Sequence, residues 1–542
     1  MKHTRTIHLL AGTLTVTLLS ACSVAGGDEA GTQDHLQALL QNADSNSVVS
    51  LVMGDTLHLS AATVQFYRER RFRPVWSEGD KLNEQGKKLR AVLANTESDG
   101  LNPLRYRFDV AEKMTAAFEN EGDGELSEPD EARYGGELDL LLTEGFTRYA
   151  LDLATGTLDP KQGGLKWNIP RGAVPRQNLL AALEKGNDPA EIIDKVRPAV
   201  PQYRRLMHVL SRLNDVKKRG GWQPIGEVST VEPGDSSPFV AVLRQRLMAS
   251  EDQREAAMAG RGAQRAMVFD RDLLLALRHF QERHAIDGDG RIGEKTVEEL
   301  NHSVDDRITE VKLNLDRWRW LPHDMGKMYL LVNVAGFEMS VIENNRAIEE
   351  MNVVVGKPGW ATPIFADTLE NLVVNPYWNV PASIAEDEIL PAIAQDPGYL
   401  ERNNMERTSD GGFRQRPGPQ NALGEFKFLF PNEHDVYLHD TPADQLFSRS
   451  SRAFSHGCIR LERPRDLAYL LGQKLADKTP EQIDRLADMD TEQWIKVKRK
   501  IPVYILYFTT WVDDDGTVRY HHDVYGIDEQ FEAQRVKFER RA

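Results

Sequence analysis

The stretch KMYLLVNVAGFEMSVIENNRAIEEMNVVVG, Lys327 to Gly356, decides how the fold is read. Val, Ile, Leu, Met and Phe alternate with polar residues along it, the period of strands with one face turned to a core. Breaks fall near Ala335-Gly336 and Asn344-Asn345, residue types suited to tight turns. The stretch therefore predicts three consecutive strands. Further strand candidates follow: LENLVVNPYWNVPAS from Leu369, FKFLFP from Phe426 and VYLHD from Val436. IPVYILYFTTWVDDDGTVRYHHDVYG, from Ile501, reads as a hairpin around Asp515-Gly516. Residues 325–527 thus form a β-rich domain, followed by a short tail, 528–542. A helical insertion punctuated by Pro and Gly interrupts it over 384–418, and long insertions in compact domains are often lids.

Upstream the period changes to that of helices. Residues 59–230 read as a scaffold of amphipathic helices, with LRAVLANTESDGLNPLRY punctuated by Gly100 and Pro103, and LDLLLTEGFTRYALDLATG ended by Gly156. A second unit, 235–305, holds three helices: one in SPFVAVLRQRL and two in FDRDLLLALRHFQERHAIDGDGRIGEKTVEELN, where Leu273, Leu277 and Phe280 share a face. Asp287-Gly288-Asp289-Gly290 lacks the ligand spacing and closing Glu of a calcium loop. The Phe280-Gln281 pair, the DG–IG turn and the Thr296-containing last helix resemble the three-helix peptidoglycan-binding module. A polar, Ala/Gly-rich insertion between Met248 and Val268 departs from it. The whole reads as a multidomain α+β chain.

The 542 residues include only two cysteines. The first, Cys22, ends MKHTRTIHLLAGTLTVTLLSAC, a basic start, an apolar run and small residues, which is the pattern of an export signal over 1–21. Leu19-Ser20-Ala21-Cys22 resembles the bacterial lipoprotein box. That resemblance implies cleavage before Cys22, lipid on Cys22, and, with Ser23 next, a periplasmic protein anchored at the inner leaflet of the outer membrane. Residues 22–58 begin Gly-rich and polar, as a tether does. No later stretch reaches the length of a membrane span, so membrane contact is expected through the lipid only. The net charge of −16 argues against a nucleic-acid partner. It also requires that any acidic substrate be held by local cations.

Cys458 sits in AFSHGCIRLE, Ala453 to Glu462, and has no intramolecular partner if Cys22 is acylated. A lone thiol kept in an oxidising compartment points to chemistry. A reactive thiol needs a base, donors for an oxyanion and a group that orients the base. His456, at i−2, shares a face with Cys458 on an extended segment. His439, 19 residues upstream, can reach it across adjacent strands. Gly457 lets the chain bend so that the amides of Gly457 and Cys458 form an oxyanion hole. Arg460 suits a substrate carboxylate through its planar fork. A zinc site drawn from His434, His439, His456 and Cys458 lacks a standard spacing, and a papain-like order would place Cys before His.

His439, sixteen intervening residues and Ser455-His456-Gly457-Cys458-Ile459-Arg460 resemble the signature of the YkuD-type L,D-transpeptidases, in particular their large, scaffold-bearing branch. YWNVPASIAEDEILP, NALGEFKFLFPNEHDVYLHDTP and the WVDDDGTVRYHHDVYG tail continue the resemblance. It implies Cys458 as nucleophile, His439 as base and the main-chain carbonyl of Asp440 orienting the ring, with His456 and Gly457 shaping the oxyanion site. Arg460 clamps a substrate carboxylate, with Arg449 and Arg452 as helpers. Tyr437 shares a face with His439, and Trp378 walls the pocket. The implied reaction attacks the bond between the third residue and the terminal D-Ala of a peptidoglycan tetrapeptide stem. A neighbouring stem amine then resolves the thioester to a 3→3 cross-link, with no metal or cofactor. Carbapenem-type inhibitors are implied as acylating agents, and other cell-wall synthesis partners are unspecified. Two alternatives stay open: a hydrolase using the same Cys–His apparatus, as an L,D-carboxypeptidase or wall-lipoprotein amidase, and a non-catalytic wall-binding scaffold.

Overall fold

The computed structural model describes residues 27–44, 47–79, 81–119, 127–161, 165–226, 228, 231–250, 252 and 266–539. Cys22 and the export signal lie outside these, as does most of the insertion between Met248 and Val268. The chain divides into two compact units, 1–91 with 107–145 and 92–106 with 146–542. In the first unit the Asp139 carboxylate collects the main-chain N–H groups of Val75 and Trp76 and the Tyr67 hydroxyl, so one buried acid replaces the backbone pairing that this loop lacks.

The second unit holds the rest. Helix α1, Pro201–Lys218, packs against α5, Val304–Arg319. Between them in sequence stand α2, Pro238–Ala249, α3, Arg271–Arg283, and α4, Glu294–Asn301, around a core of their own that includes Leu243, Leu277, Phe280 and Leu300. Ser303 and Asp306 form a capping box that starts α5. Its far end delivers the chain into the sheet. Asn314 there exchanges hydrogen bonds with Thr509, and Trp318 stacks on Phe508 at 4.4 Å.

The opening stretch forms three antiparallel strands, β1 Met328–Asn333, β2 Glu338–Glu343 and β3 Arg346–Gly356. Asn344 and Asn345 both have φ near +50 to +63°, the two-residue turn that matches the twist of a hairpin. The strands β4 Ile364–Val374, β5 Trp378–Asn379, β6 Met405–Arg407, β7 Phe413–Gln415, β8 Phe426–Leu429, β9 Leu438–His439, β10 Ala453–Ser455, β11 Ile459–Leu461 and β12 Gln493–Leu506 follow. The main sheet runs β8-β9-β11-β3-β2-β1-β12-β4, and β8 also pairs β4, so these strands close into a ring. Closure removes open edges. The two-residue strand Trp167–Asn168, paired with β4, and β10, paired with β3, attach at its margins.

Two expectations are corrected. IPVYIL is not one arm of a hairpin but the second half of β12, paired with β1 on one side and β4 on the other. Its run Val503 to Phe508 is buried throughout, and a strand covered on both faces loses the alternation that marks a hairpin arm. The hairpin is confined to β13, Thr510–Val512, and β14, Val518–Tyr520. The insertion is helical only in part. Helical turns over Ala382–Gln395 and Tyr399–Arg402 lead into β6 and β7, and a three-stranded sheet β5-β7-β6 encloses a small core of Ile389, Met405 and Phe413.

The buried carboxylate of Asp99, 0 % exposed, ties the helices of this unit together. It accepts from Arg197 Nε and Nη2 at 2.8 Å each, from Tyr149 Oη at 2.7 Å and from Tyr203 Oη at 3.1 Å. Arg319, at the end of α5, donates to the Asp99 carbonyl and to Tyr203 Oη. Removing one member of a buried charged pair strands the other. Asp99→Asn is therefore expected to lower stability by about 3 kcal/mol, read as a drop in the urea midpoint. An unchanged midpoint would show that Arg197 finds solvent instead.

Candidate active site

Strands β9 and β11 build the site. They lie parallel, with Leu438 opposite Ile459 and His439 opposite Arg460, and the Ile459 N–H donates to the Tyr437 carbonyl at 3.2 Å. Cys458 stands just ahead of β11, beside Tyr437. Tyr437 and His439 share one face of their strand, and Cys458 and Arg460 one face of theirs. Tyr437 lies close enough to the Cys458 sulfur to favour its ionised form. The thiol itself is half-buried, 3.8 Å from the Asp435 carbonyl.

His439 is 4 % exposed. Its Nδ1–H donates to the Asp440 carbonyl at 2.5 Å, which leaves Nε2 as the acceptor. The Asp440 side chain is occupied elsewhere, accepting from the N–H groups of Glu425 and Thr441 at 2.7 Å. The main-chain atom is thus the one in reach of the ring.

The nucleophile loop is braced from three directions. Gly457 has φ +115°, a conformation that L side chains rarely adopt. Its carbonyl accepts from Thr362 Oγ1 at 2.9 Å, Thr362 Oγ1 accepts from the Gly356 N–H, and Tyr525 Oη donates to the Gly356 carbonyl at 2.6 Å. Ser455 Oγ donates to the Cys458 carbonyl at 2.5 Å and accepts from the Gly457 N–H at 3.1 Å. That last bond corrects one expectation: the Gly457 amide is engaged by Ser455. The Cys458 amide makes no hydrogen bond among the described residues and is the donor left for an oxyanion.

His456 does not turn to the thiol. Its Nε2 lies 3.0 Å from Glu388 Oε1 of the insertion, and its ring meets Trp360 edge-on at 5.1 Å. Trp378, on β5, packs against the insertion's core and lies near the Tyr437 hydroxyl. Arg452 is turned away: its guanidinium donates to the carbonyls of Phe337 and Arg449 and to Asn352 Oδ1. Arg449 lies over the Phe454 ring. His434 stands apart, 3.2 Å from Asn168 and against Phe365, and among the described residues no three His, Cys, Asp or Glu side chains converge on a metal position. A groove of about 350 Å³ runs beside Asp440, between Thr441-Pro442 and Pro417-Gly418-Pro419. A larger cavity, about 540 Å³, opens against β1–β3 and contains none of these site residues.

Sequence reading missed Lys427. It sits opposite His439 on β8, with Nζ 3.8 Å from the centre of the Tyr437 ring. Only the register β8-β9-β11 puts Lys427, His439 and Arg460 in one row, so no local motif announces it. Neither Lys427 nor Arg460 has a carboxylate partner among the described residues, and Arg460 Nε is buried without an acceptor. Burial lowers both cations' pKa. Burial, Arg460 and Lys427 together push His439 down to about 3. Burial pushes the Cys458 thiol up, against the pull of Tyr437, Lys427 and Arg460. The resting pair is therefore neutral thiol and neutral imidazole, poised to accept a new negative charge.

The sign of the pH dependence follows. His439 has a depressed pKa, so its ring stays proton-accepting at every pH above about 3. Alkylation of Cys458 is expected to follow an ionisation shifted above that of a free thiol, because burial disfavours the thiolate, with no inflection from the His439 ring in the ordinary imidazole range. Tyr437→Phe removes a hydroxyl that favours the thiolate and should raise that pKa further. A wild-type thiol titrating below pH 7 would mean a preformed ion pair instead.

Residues 327–491 match the family model of the L,D-transpeptidase catalytic domain (YkuD), and residues 61–210 match that of a scaffold domain. A Haemophilus influenzae protein that bears the L,D-transpeptidase name provisionally is 28% identical over 277 residues. The match covers 46% of this chain and 56% of that protein, so the chain spans little more than half the length of this curated relative. Among solved structures, an L,D-transpeptidase from Stackebrandtia nassauensis is 15% identical, with TM-score 0.21, covering 51% of this chain and 94% of its own. L,D-transpeptidase 3 from Mycobacterium tuberculosis, in complex with a faropenem-derived adduct, is 12% identical, with TM-score 0.18, covering 33% and 60%. Residues 327–491 are thus an L,D-transpeptidase catalytic domain of the YkuD family, carried on one chain with a scaffold domain.

Proposed function

We propose that this chain is a cysteine acyltransferase that forms 3→3 cross-links between peptidoglycan stems. The observation that carries the reading is the row Lys427–His439–Arg460 beside Cys458, with a neutral base and two unpaired cations around one thiol. As a tetrapeptide stem enters, His439 Nε2 takes the thiol proton while sulfur bonds to the carbonyl carbon of the third residue. The oxyanion meets the Cys458 amide, and Tyr437 and the cations offset its charge. The C–N bond to D-Ala then breaks, and the leaving amine takes the proton from His439. A side-chain amine of a second stem attacks the thioester and gives its proton to the same ring, and the thiol is released. Lys427 and Arg460 hold the carboxylates of the stems. A carbapenem carbonyl offers a similar electrophile and is expected to acylate Cys458.

The insertion limits the competing reaction with water. Glu388 of the insertion reaches the Cys458 loop through His456. A cover over the thioester favours an amine that binds over water that does not.

One assay tests both parts. Disaccharide tetrapeptide is incubated with the enzyme and the products are weighed by mass spectrometry. Wild type should yield dimer lacking one D-Ala, and Cys458→Ala none. His439→Ala should slow the reaction by about 10²–10⁴-fold. Replacing 385–412 by a Gly/Ser linker should lower dimer and raise free tripeptide while leaving carbapenem acylation intact. Tripeptide alone from wild type would make the protein a carboxypeptidase, and product from Cys458→Ala would remove the thiol from the mechanism.

We extend the proposal to location, on the export pattern before Cys22: lipid on Cys22 tethers the chain in the periplasm at the outer membrane. Cys22→Ala should then leave the outer-membrane fraction. Unchanged fractionation would rule the tether out.

A further inference from the structure

Arg246, on α2, is 3 % exposed. Its Nε donates to the Leu300 carbonyl at 2.7 Å, and its guanidinium lies 4.3 Å from the centre of the Trp222 ring. Nη1 is buried and bonds to nothing among the described residues. No carboxylate among the described residues comes within ion-pair distance. The nearby acids are committed elsewhere: Asp252 to Arg283 at 2.6 Å, Glu310 to Arg307 at 2.8 Å, and Glu299 to Arg307 as well. An arginine keeps its charge in a protein, and a buried charge without a partner is costly. The three guanidiniums respond as this predicts. Arg283 and Arg307, with their acids in place, are shifted up. Arg246 is pulled down to about 9, by burial first and Arg307 second.

Arg246 lines a cavity of about 50 Å³, whose walls also include Trp222, Arg283, His284, Arg307 and Tyr520. One water needs only roughly 10–15 Å³ of such space. A neutral water satisfies a donor but does not offset a charge. A planar guanidinium fork matches the two oxygens of a carboxylate or phosphate. Tyr520 adds a hydroxyl, and its ring lies 4.3 Å from the Arg307 guanidinium. The overall charge of −16 means that this cationic recess owes nothing to the general field of the protein.

We propose that this cavity binds one small oxyanion, a carboxylate or phosphate group, held by Arg246. The cavity stands where the three-helix unit, α5 and the β13–β14 hairpin meet, so the bound group fastens these parts to one another. The site is separate from Cys458 and requires no particular reading of the reaction there.

The test uses the full chain in a buffer free of phosphate and carboxylates. Inorganic phosphate and acetate are titrated separately, with sodium chloride at equal ionic strength as control. The readouts are the thermal midpoint and tryptophan emission, with Trp222→Phe identifying the share of emission due to Trp222. A saturable rise in midpoint above the chloride control is expected with at least one oxyanion, accompanied by a change in Trp222 emission. A response to acetate alone assigns a carboxylate, and to phosphate alone a phosphate. Arg246→Met should lose the saturable rise and, in the oxyanion-free buffer, melt no lower than wild type. Arg246→Lys keeps the charge without the fork and should need roughly tenfold more oxyanion for half-saturation. A wild-type response equal to that of chloride overturns the proposal, as does a saturable rise that survives in Arg246→Met or is unchanged in Arg246→Lys.

Discussion

Two residues of parallel pairing carry the active site. Leu438–His439 and Ile459–Leu461 are among the shortest strands of the ring, yet their register alone sets His439 beside Arg460 and Tyr437 beside Cys458. The strands are short because each ends in chemistry. After His439 the chain turns so that the Asp440 carbonyl can meet Nδ1, and before Ile459 it bends at Gly457. Longer strands would continue the ladder and lose both. What holds so short a pair in register is its position inside a closed sheet, with β8 on one side and β3 on the other.

The electrostatics depend on the same placement. A protonated histidine between Lys427 and Arg460 would put three cations in one row, so burial and both neighbours keep the ring neutral. The cost of that crowding is offset when substrate brings anions or when sulfur and carbonyl oxygen acquire charge during attack. Stabilisation that appears only as charge develops lowers the barrier without tightening the ground state. Thr362 and Tyr525 serve the same end mechanically, since they fix the Gly457 carbonyl and hence the direction of the Cys458 amide.

The parts of the fold legible in the sequence are those where turn residues break the apolar runs into strand-length pieces, even where a strand such as Met328–Asn333 is buried throughout. Lys327 to Gly356 alternates and forms three strands, with the Asn344-Asn345 turn where the residues place it. IPVYIL misleads because its partners, β1 and β4, lie far away in the chain, while a hairpin signal stands directly after it. Phe413-Arg414-Gln415 is too short to show a period, so the sheet inside the insertion was invisible. At the site, Cys458, His439 and Tyr437 were legible from their spacing and chemistry. Lys427 was not, because its meaning lies in a register across three strands. Nor were Glu388 and Tyr525, which reach the loop from distant parts of the chain. Arg452 shows the converse: a cation close in sequence to Cys458 whose donors serve the backbone of β2 and its surroundings.

The raised thiol pKa has a consequence beyond catalysis. Oxidants such as peroxide attack thiolate far faster than thiol. A cysteine held protonated at neutral pH is therefore a poor target for the sulfenic and sulfinic acids that would end its working life. In the proposed reaction Cys458 becomes strongly nucleophilic only when an electrophile is seated against it and His439 can take the proton in the same step. The burial that slows its ionisation thus also acts as its antioxidant protection.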